Sequence, residues 1–164
     1  MDIYDFFNEH DINYERHDHP AVFTVEESNR LVPRLNGAKT KNLFLRDKKG
    51  KEHFLVVMGH EKNVDLKSLS ILLGVNNLSL ASPERLEKYL GVQPGAVSLL
   101  GILNDRENKV RCILDESIWS SEFVQCHPLI NTSTLVISHE DLEKLLEISG
   151  HNPEICNVPP RNLT

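Results

Sequence analysis

The sequence has few cysteines, and their spacing suits neither cross-linking nor metal binding. Its 164 residues include three, Cys112, Cys126 and Cys156, and no two of them stand in a CxxC spacing. An odd number without such pairs argues against a disulfide framework and against a zinc ribbon. His17 and His19 alternate as on a strand, but no third ligand follows nearby. We therefore expect a reducing, cytoplasmic compartment, no metal site and no cofactor.

The sequence also lacks a long apolar run, and its overall charge is not basic. No stretch approaches the roughly 18 apolar residues that a membrane helix needs, and the acidic residues 1–11 lack the basic segment of a signal peptide. The formal net charge is −6, which disfavours broad, non-specific binding to nucleic acid. No DNA-binding helix is evident, so we expect neither DNA nor a membrane as a partner. A local contact with one end of a folded RNA remains open.

What the sequence does contain is an alternation of helical and strand patterns over its whole length. Thr24 and Glu27 form a capping box, which predicts a helix over 25–32 that stops before Pro33. The segments 38–46 and 53–58 flank a Gly-containing turn and predict a β-hairpin. Further helices are predicted over 3–10, 64–73, 83–91 and 139–150, and further strands over 14–17, 78–81, 110–114, 123–127 and 134–137. Because the hairpin rules out an all-parallel sheet, we expect an α+β or mixed-sheet α/β domain.

Basic residues are concentrated between positions 39 and 51. Lys48, Lys49 and Lys51 lie in the predicted turn, where exposed lysines commonly protect a sheet edge, and we interpret them as solvated. Lys39 and Lys41 differ, because they precede an apolar strand and point to the same side. These two lysines are candidates for contact with a phosphate.

Two further segments could carry chemistry. The loop over 91–98 is rich in glycine and proline, so its backbone could approach an anion or a carbonyl oxygen, although an ordinary helix-to-strand connection fits equally well. Cys126 and His127 are neighbours and would face opposite sides of a strand, so they cannot form a catalytic dyad. We expect Cys126 to be a buried small hydrophobic residue, and His127 could be structural. No serine stands in the GxSxG context of a nucleophile elbow.

Four of these segments, in this order, resemble one known family. Residues 19–27 read HPAVFTVEE, residues 40–45 read TKNLFL, residues 90–97 read LGVQPGAV and residues 127–132 read HPLINT. Together they resemble the freestanding prolyl-tRNA editing domains of the YbaK/ProX group, which are related to the insertion domain of bacterial prolyl-tRNA synthetase. The resemblance extends from about residue 3 to residue 158, and the closing pattern over 141–153 looks more like the ProX branch.

The resemblance implies a cytoplasmic, single compact α+β domain with a twisted mixed β-sheet flanked by helices. It places the editing domain at residues 1–158, followed by a C-terminal tail at 159–164. It implies hydrolysis of the ester that joins a wrong amino acid to tRNA(Pro): alanine in the ProX branch, cysteine in the YbaK branch. The implied partner is the acceptor end of tRNA(Pro) carrying a small amino acid, and recruitment of prolyl-tRNA synthetase is left open.

The resemblance also assigns roles to residues. Lys41 matches the essential lysine near the terminal adenosine, Gly95 opens the loop whose backbone holds the aminoacyl carbonyl, and His127 matches the histidine of the amino-acid pocket. Positioning of a water and backbone stabilisation of the oxyanion would then supply the catalysis. The expected substrate-binding residues are Phe23, Thr24, Leu31, Asn42, Ala96, Val97, Ser98 and Asn131.

One position departs from the family pattern. Leu99 stands where the family usually has proline, and without proline's fixed φ we expect a looser loop. This departure keeps two alternatives open. One is a non-catalytic module that binds tRNA or a synthetase, and the other is a regulator that senses a small amino acid or an aminoacyl ester.

Overall fold

A computed structural model describes residues 2–32 and 34–161 of the chain. Its α-helices are α1 (Ile3–Glu9), α2 (Val25–Leu31), α3 (Leu66–Leu73), α4 (Pro83–Leu90), α5 (Glu116–Trp119) and α6 (His139–Ile148). Its strands are β1 (Glu15–Asp18), β2 (Thr40–Asp47), β3 (His53–Gly59), β4 (Leu78–Leu80), β5 (Val110–Asp115), β6 (Phe123–Cys126), β7 (Ser133–Ser138) and β8 (Glu154–Cys156). Every predicted helix and strand is present, within two residues at most of its ends. The predicted stop at Pro33 lies outside the described residues.

Short polar side chains fix where the helices begin. The Thr24 hydroxyl accepts a hydrogen bond from the backbone N–H of Glu27 at 3.0 Å, as the capping box predicts. Asp65 caps α3 by accepting from two backbone N–H groups. Ser82 and Ser138 cap α4 and α6, each by accepting from one backbone N–H group. Because these caps satisfy otherwise unpaired donors, each helix start is set by local sequence.

The strands form two sheets rather than the single sheet expected. One has the order β1-β7-β6 and the other the order β4-β2-β3-β5-β8. β2 and β3 pair antiparallel, whereas β3 pairs with β5 and β5 with β8 in parallel, so the larger sheet is mixed. An isolated bridge between Ala38 and Val124 joins β6 to the segment before β2. The α+β class with mixed sheets is therefore confirmed.

The larger sheet is covered on both faces. In β3 the residues His53–Met58 are all buried, as is typical of a central strand packed on two sides. Phe44 faces one apolar cluster and Leu45 the other, which confirms the alternation predicted for β2. Among the described residues, no helix combines the length and apolarity needed to cross a membrane.

Three features were not predicted. The helix α5 follows β5, the strand β8 pairs with β5 at the edge of the larger sheet, and residues expected to be loop form a short 3₁₀ helix over Leu99–Asn104. Leu99 and Ile102 of that helix are buried in the core. Apolar side chains packed by tertiary contacts explain this turn, because its sequence, LLGILN, carries no helical pattern of its own.

A buried hydrogen bond between a histidine and a carboxylate joins the segment after α6 to the segment before β5. Asp105 and His151 are 5% and 2% exposed, and His151 Nε2 lies 2.9 Å from Asp105 Oδ2. Burial alone would raise the pKa of the Asp105 carboxyl, but hydrogen bonds from His151 and from the backbone N–H groups of Val110 and Lys109 outweigh it. The pKa of Asp105 is therefore below its ordinary value.

We predict that Asp105→Ala lowers the free energy of unfolding by about 3–5 kcal/mol, because it leaves His151 buried without its partner. Since the folded pKa of Asp105 is depressed, its stabilisation is present above the ordinary aspartate pKa and is lost as the pH falls through the folded value. Urea unfolding at pH 7 and at about pH 3 measures both effects. Glu107→Ala, which removes an exposed pair with Lys109, is the matched control and should change stability by less than about 0.5 kcal/mol. Equal losses in the two variants would contradict the account.

Candidate active site

A cleft of about 220 Å³ opens where the start of β2, the entry to α2 and the end of β6 meet. Loops and strand ends converge at the cleft, and side chains at such positions can face solvent while the strands keep their pairing. Its lining residues are Val22, Phe23, Thr24, Ser28, Thr40, Lys41, Asn42, His60, Pro94, Gly95, Val97 and His127.

Lys41 lies in the second position of β2, and neutral oxygens hold its ammonium. Its Nζ donates to the backbone carbonyl of Lys62 at 3.1 Å and to Asn63 Oδ1 at 3.3 Å. A lysine ammonium has three N–H donors, so one remains for a ligand. Because both acceptors are uncharged, the positive charge is not neutralised by these contacts.

Asn42, the next residue along β2, also lines the cleft. Its side-chain Oδ1 is buried and has no hydrogen-bond partner among the described residues. A buried carbonyl oxygen of this kind costs free energy unless it finds a donor. Asn42 is therefore suited to accept a hydrogen bond from a ligand in the cleft.

Phe23 and Gly95 face each other at the rim. The Phe23 side chain is unusually exposed, at 70%, and a Cβ added at Gly95 would lie 3.0 Å from Phe23 Cε1. The missing side chain at position 95 thus lets the aromatic ring lie directly against the loop backbone. An exposed aromatic face beside a cleft is suited to stacking on a planar ligand.

The loop after Gly95 is fixed by Ser98. Ser98 is fully buried, its hydroxyl donates to the His127 carbonyl at 2.6 Å, and it accepts from the Leu100 backbone N–H at 3.2 Å. These bonds connect the Gly95 loop to the segment that carries His127. Leu99 starts the 3₁₀ helix with its side chain buried. In this protein the loop is held by a serine cap and a buried leucine where the family pattern has proline.

His127 follows β6 and lines the cleft from the opposite wall. Burial lowers the pKa of its imidazole, partly offset by a hydrogen bond to the Ser133 carbonyl. Since a carbonyl only accepts, the contact of Nδ1 with Ser133 O at 3.3 Å assigns the proton to Nδ1. Neutral His127 therefore carries an unprotonated Nε2.

A smaller recess of about 30 Å³ adjoins the cleft. His127, Thr40, Ser28 and His60 border both cavities, and Cys126 and Thr134 are among the residues that complete the recess. The volume corresponds to about one or two water molecules. The recess therefore favours a small group, such as a methyl group, over a bulkier one.

His60 is a cleft residue that the sequence analysis did not single out. Its backbone N–H donates to the Lys39 carbonyl at 3.1 Å, so it extends the pairing of β2 and β3 by one residue. Burial and the nearby ammonium of Lys39 and Lys41 lower the pKa of His60. The predicted hairpin could have indicated His60, because antiparallel pairing places the residue after β3 beside Lys39.

Ser28, Thr40, Val22 and Pro94 were also missed as lining residues. Ser28 lies one helical turn after Thr24, so the capping box already placed the two side chains on one face. Thr40 stands beside Lys41, and its hydroxyl bonds the backbone of β6. The helical spacing after Thr24 could have indicated Ser28, and the strand pattern around Lys41 could have indicated Thr40.

The structure brings most of the predicted site residues together. The predicted residues that line the cleft are Phe23, Thr24, Lys41, Asn42, Gly95, Val97 and His127. The other predicted residues are not among those that line it. Ala96 is buried and its N–H bonds Gln93, Ser98 is buried, Asn131 donates to the Val22 carbonyl, and Val32, rather than Leu31, lines the recess.

Within residues 2–32 and 34–161, no group of three or more His, Cys, Asp or Glu side chains is placed to hold a metal ion. Cys126 is fully buried, and burial raises the pKa of its thiol to about 12. It therefore stays protonated and behaves as an apolar residue, as the sequence predicts. The chemistry available in the cleft comes from an ammonium, neutral imidazoles and backbone groups.

Comparison with known proteins gives three consistent matches. The family model for the aminoacyl-tRNA editing domain matches residues 19–145. The chain is 41% identical over 140 residues to the prolyl-tRNA editing protein ProX of Acetoanaerobium sticklandii, covering 85% of each chain. It is 40% identical over 142 residues to prolyl-tRNA synthetase associated domain-containing protein 1 of Danio rerio, covering 85% of this chain and 77% of the fish protein.

A solved structure supports the fold independently. The crystal structure of the hypothetical protein APE2540 superimposes with a TM-score of 0.73 at 18% identity, covering 96% of this chain and 99% of the other. At this level of identity the likeness concerns the fold alone. It shows that this fold also occurs in a protein of low sequence identity to this chain.

We predict that Ser98→Ala lowers the free energy of unfolding by about 1–2 kcal/mol, because it removes a cap and leaves the His127 carbonyl without its donor. Chemical denaturation of the purified protein measures the loss. Ser120→Ala, at an exposed position, is the control and should cost less than about 0.5 kcal/mol. No loss in Ser98→Ala would show that the loop is held by other contacts.

Proposed function

The chain belongs to the aminoacyl-tRNA editing domain family, and we propose that it hydrolyses tRNA(Pro) mischarged with alanine. Membership confirms the predicted resemblance and the class of enzyme, a hydrolase of aminoacyl-tRNA. The proposal goes further in naming the amino acid, the tRNA and the residues. The editing function is assigned to residues 1–158, and the proposed compartment is the cytoplasm, where the described cysteines would stay free.

One observation carries the choice of alanine. The recess beside His127 measures about 30 Å³ and is continuous in its lining with the larger cleft. We propose that an alanyl methyl group occupies this recess, because its small volume favours a methyl group over a prolyl ring with three methylenes closed onto nitrogen. Steric exclusion is an effective basis for rejecting proline, because attraction to a single methyl group is worth only about 1–3 kcal/mol.

The other residues of the cleft suit the terminal nucleotide and the aminoacyl carbonyl of the substrate. The free donor of Lys41 supplies a cation for the terminal nucleotide, and Phe23 offers a face on which its base can stack. Gly95 lines the cleft, and its backbone is the proposed contact of the aminoacyl carbonyl. Asn42 Oδ1 accepts from a hydroxyl or an ammonium of the substrate.

The proposed mechanism needs neither a covalent intermediate nor a metal ion. An aminoacyl ester is already activated. The protein therefore has to orient the ester, place a water molecule and stabilise the developing oxyanion. Backbone N–H groups at the Gly95 loop are the proposed oxyanion donors, and such donors contribute about 3–4 kcal/mol each in known enzymes. Neutral His127 offers Nε2 as an acceptor in the amino-acid pocket.

The proposed partner is the acceptor end of tRNA(Pro), and prolyl-tRNA synthetase is a proposed second partner. The name of the Danio rerio relative associates that protein with the synthetase. A protein of net charge −6 is not suited to gripping a long stretch of RNA. We therefore propose that binding is confined to the terminal nucleotides, next to Lys39 and Lys41.

We predict that the purified protein deacylates Ala-tRNA(Pro) at least about tenfold faster than Cys-tRNA(Pro) or Ser-tRNA(Pro), and leaves Pro-tRNA(Pro) intact. Release of labelled amino acid, with EDTA present throughout, measures the rates. A preference for the cysteinyl ester would assign the chain to the YbaK branch. Hydrolysis of none of the four would favour a non-catalytic binding module. A rate that EDTA abolishes and zinc restores would contradict the water-positioning mechanism.

We predict that Lys41→Ala lowers deacylation by at least about tenfold, equivalent to ~1.4 kcal/mol, without unfolding the protein. Lys48→Ala is the matched control, because Lys48 is an exposed turn lysine whose attraction is screened by salt. Its effect should be much smaller. Equal losses in both variants that disappear at high salt would show that Lys41 is only one charge of a basic face. Thermal melts accompany each assay.

A further inference from the structure

Behind the cleft, Lys62 is held by a buried carboxylate. Its Nζ lies 2.8 Å from Asp115 Oδ2, and it also donates to the Val158 carbonyl at 2.9 Å. Asp115 stands at the end of β5 and is 1% exposed. Its other oxygen accepts from the Val158 backbone N–H at 3.1 Å. The Lys62 side chain is therefore fixed on the side away from the cleft.

The backbone of the same residue contacts Lys41, which lines the cleft. The Lys62 carbonyl accepts from Lys41 Nζ at 3.1 Å, and the adjacent Asn63 side chain accepts from it at 3.3 Å. Lys62 thus connects two charged residues that do not contact each other. Its side chain binds Asp115, and its backbone carbonyl binds Lys41. The Lys62 side chain therefore links the loop that holds the Lys41 ammonium to the buried Asp115 carboxylate.

The C-terminal segment supports this loop as well. Asp65 N–H donates to the Pro159 carbonyl at 2.9 Å, and Arg161 N–H donates to the Asn63 carbonyl at 2.7 Å. Val64 and Pro160 form a bridge between these bonds. The family match ends at residue 145, so this support comes from a part of the chain outside it.

We propose that Lys62 and Asp115 are positioning residues for the editing reaction, acting through the ammonium of Lys41. The ion pair fixes the Lys62 carbonyl, and that carbonyl and Asn63 occupy two of the three N–H donors of Lys41. The third donor is left aimed at the substrate. The inference rests on the proposed function, because it assigns these residues to the same reaction.

Energetics favour a geometric role over a stabilising one. A buried ion pair contributes little net stability relative to apolar residues of similar size, because both ions lose hydration. What such a pair fixes well is direction, since two charge-assisted hydrogen bonds on Lys62 Nζ leave it few alternative positions. A displacement of about 1 Å at a reacting group can cost roughly a hundredfold in rate.

The test is a double-mutant cycle between Lys62 and Lys41. Lys62→Met keeps the apolar stem and removes the ammonium, while Asp115 retains the Val158 N–H and the Ser117 hydroxyl as donors. We expect kcat/KM for Ala-tRNA(Pro) to fall at least about fivefold in the wild-type background. In the Lys41→Ala background the same change should alter it by less than about twofold, because the group that Lys62 positions is already absent.

Two further variants keep the test independent of folding. Asn63→Ala changes an exposed residue and removes the second acceptor of Lys41 directly, so it should also lose activity only when Lys41 is present. Arg111→Met, a change on the same strand as Asp115, removes partly exposed pairs with Glu52 and Glu154 and should leave kcat/KM within about twofold in both backgrounds. Equal fold-losses for Lys62→Met with and without Lys41, or none in either, would overturn the proposal.

A measurement without tRNA separates this proposal from the proposed function. Trace acetylation with acetic anhydride, read by peptide mass spectrometry, reports the reactivity of each lysine ε-amine. We expect Lys62→Met to raise the labelling of Lys41 relative to Lys48, because a released amine is more accessible. If the wild type hydrolysed no ester, the proposed function would fail, while increased Lys41 labelling would uphold the positional claim. Unchanged labelling of Lys41 would overturn it whatever the activity.

Discussion

The antiparallel register of β2 and β3 is the constraint on which the site depends. Thr40 pairs with Gly59 and Lys41 with Met58, so the start of one strand and the end of the other meet at one edge of the larger sheet. That single register places Lys41, Asn42 and His60 around the cleft. A slip of one residue would turn Lys41 to the other face of the strand and break its contacts with Lys62 and Asn63. The apolar alternation of Leu45 and Phe44 prevents the slip, because each side chain fills its own cluster.

Much of this arrangement could be predicted from local sequence. The capping box at Thr24, the hairpin turn at Gly50 and the serine cap before α6 each act within a few residues, and their physics is independent of the rest of the fold. The motifs around Lys41, Gly95 and His127 supplied the family. The structure then brought these three residues to one cleft, although 86 positions separate Lys41 from His127.

What could not be predicted depends on contacts between distant segments. The recess exists because α2, β2, β6 and β7 meet with small side chains between them, and no local pattern gives such a volume. The Ser98 bond to the His127 carbonyl joins residues 29 positions apart. Because local sequence does not reveal this bond, the presence of Leu99 instead of proline led to the expectation of a looser loop. Likewise, the pairing of Lys62 with Asp115 and the return of Pro160 to Val64 are tertiary contacts without a sequence signal.

The central claim is that the cleft and the recess together accommodate an alanylated 3′ end. A crystal structure of the protein with a non-hydrolysable alanyl-adenosine, in which an amide replaces the ester, tests it most directly. The account predicts the alanyl methyl group in the recess beside His127, the carbonyl oxygen against the Gly95 backbone and Lys41 Nζ within hydrogen-bonding distance of the nucleoside. An analogue bound with its methyl group outside the recess and its carbonyl turned away from Gly95 would contradict the account.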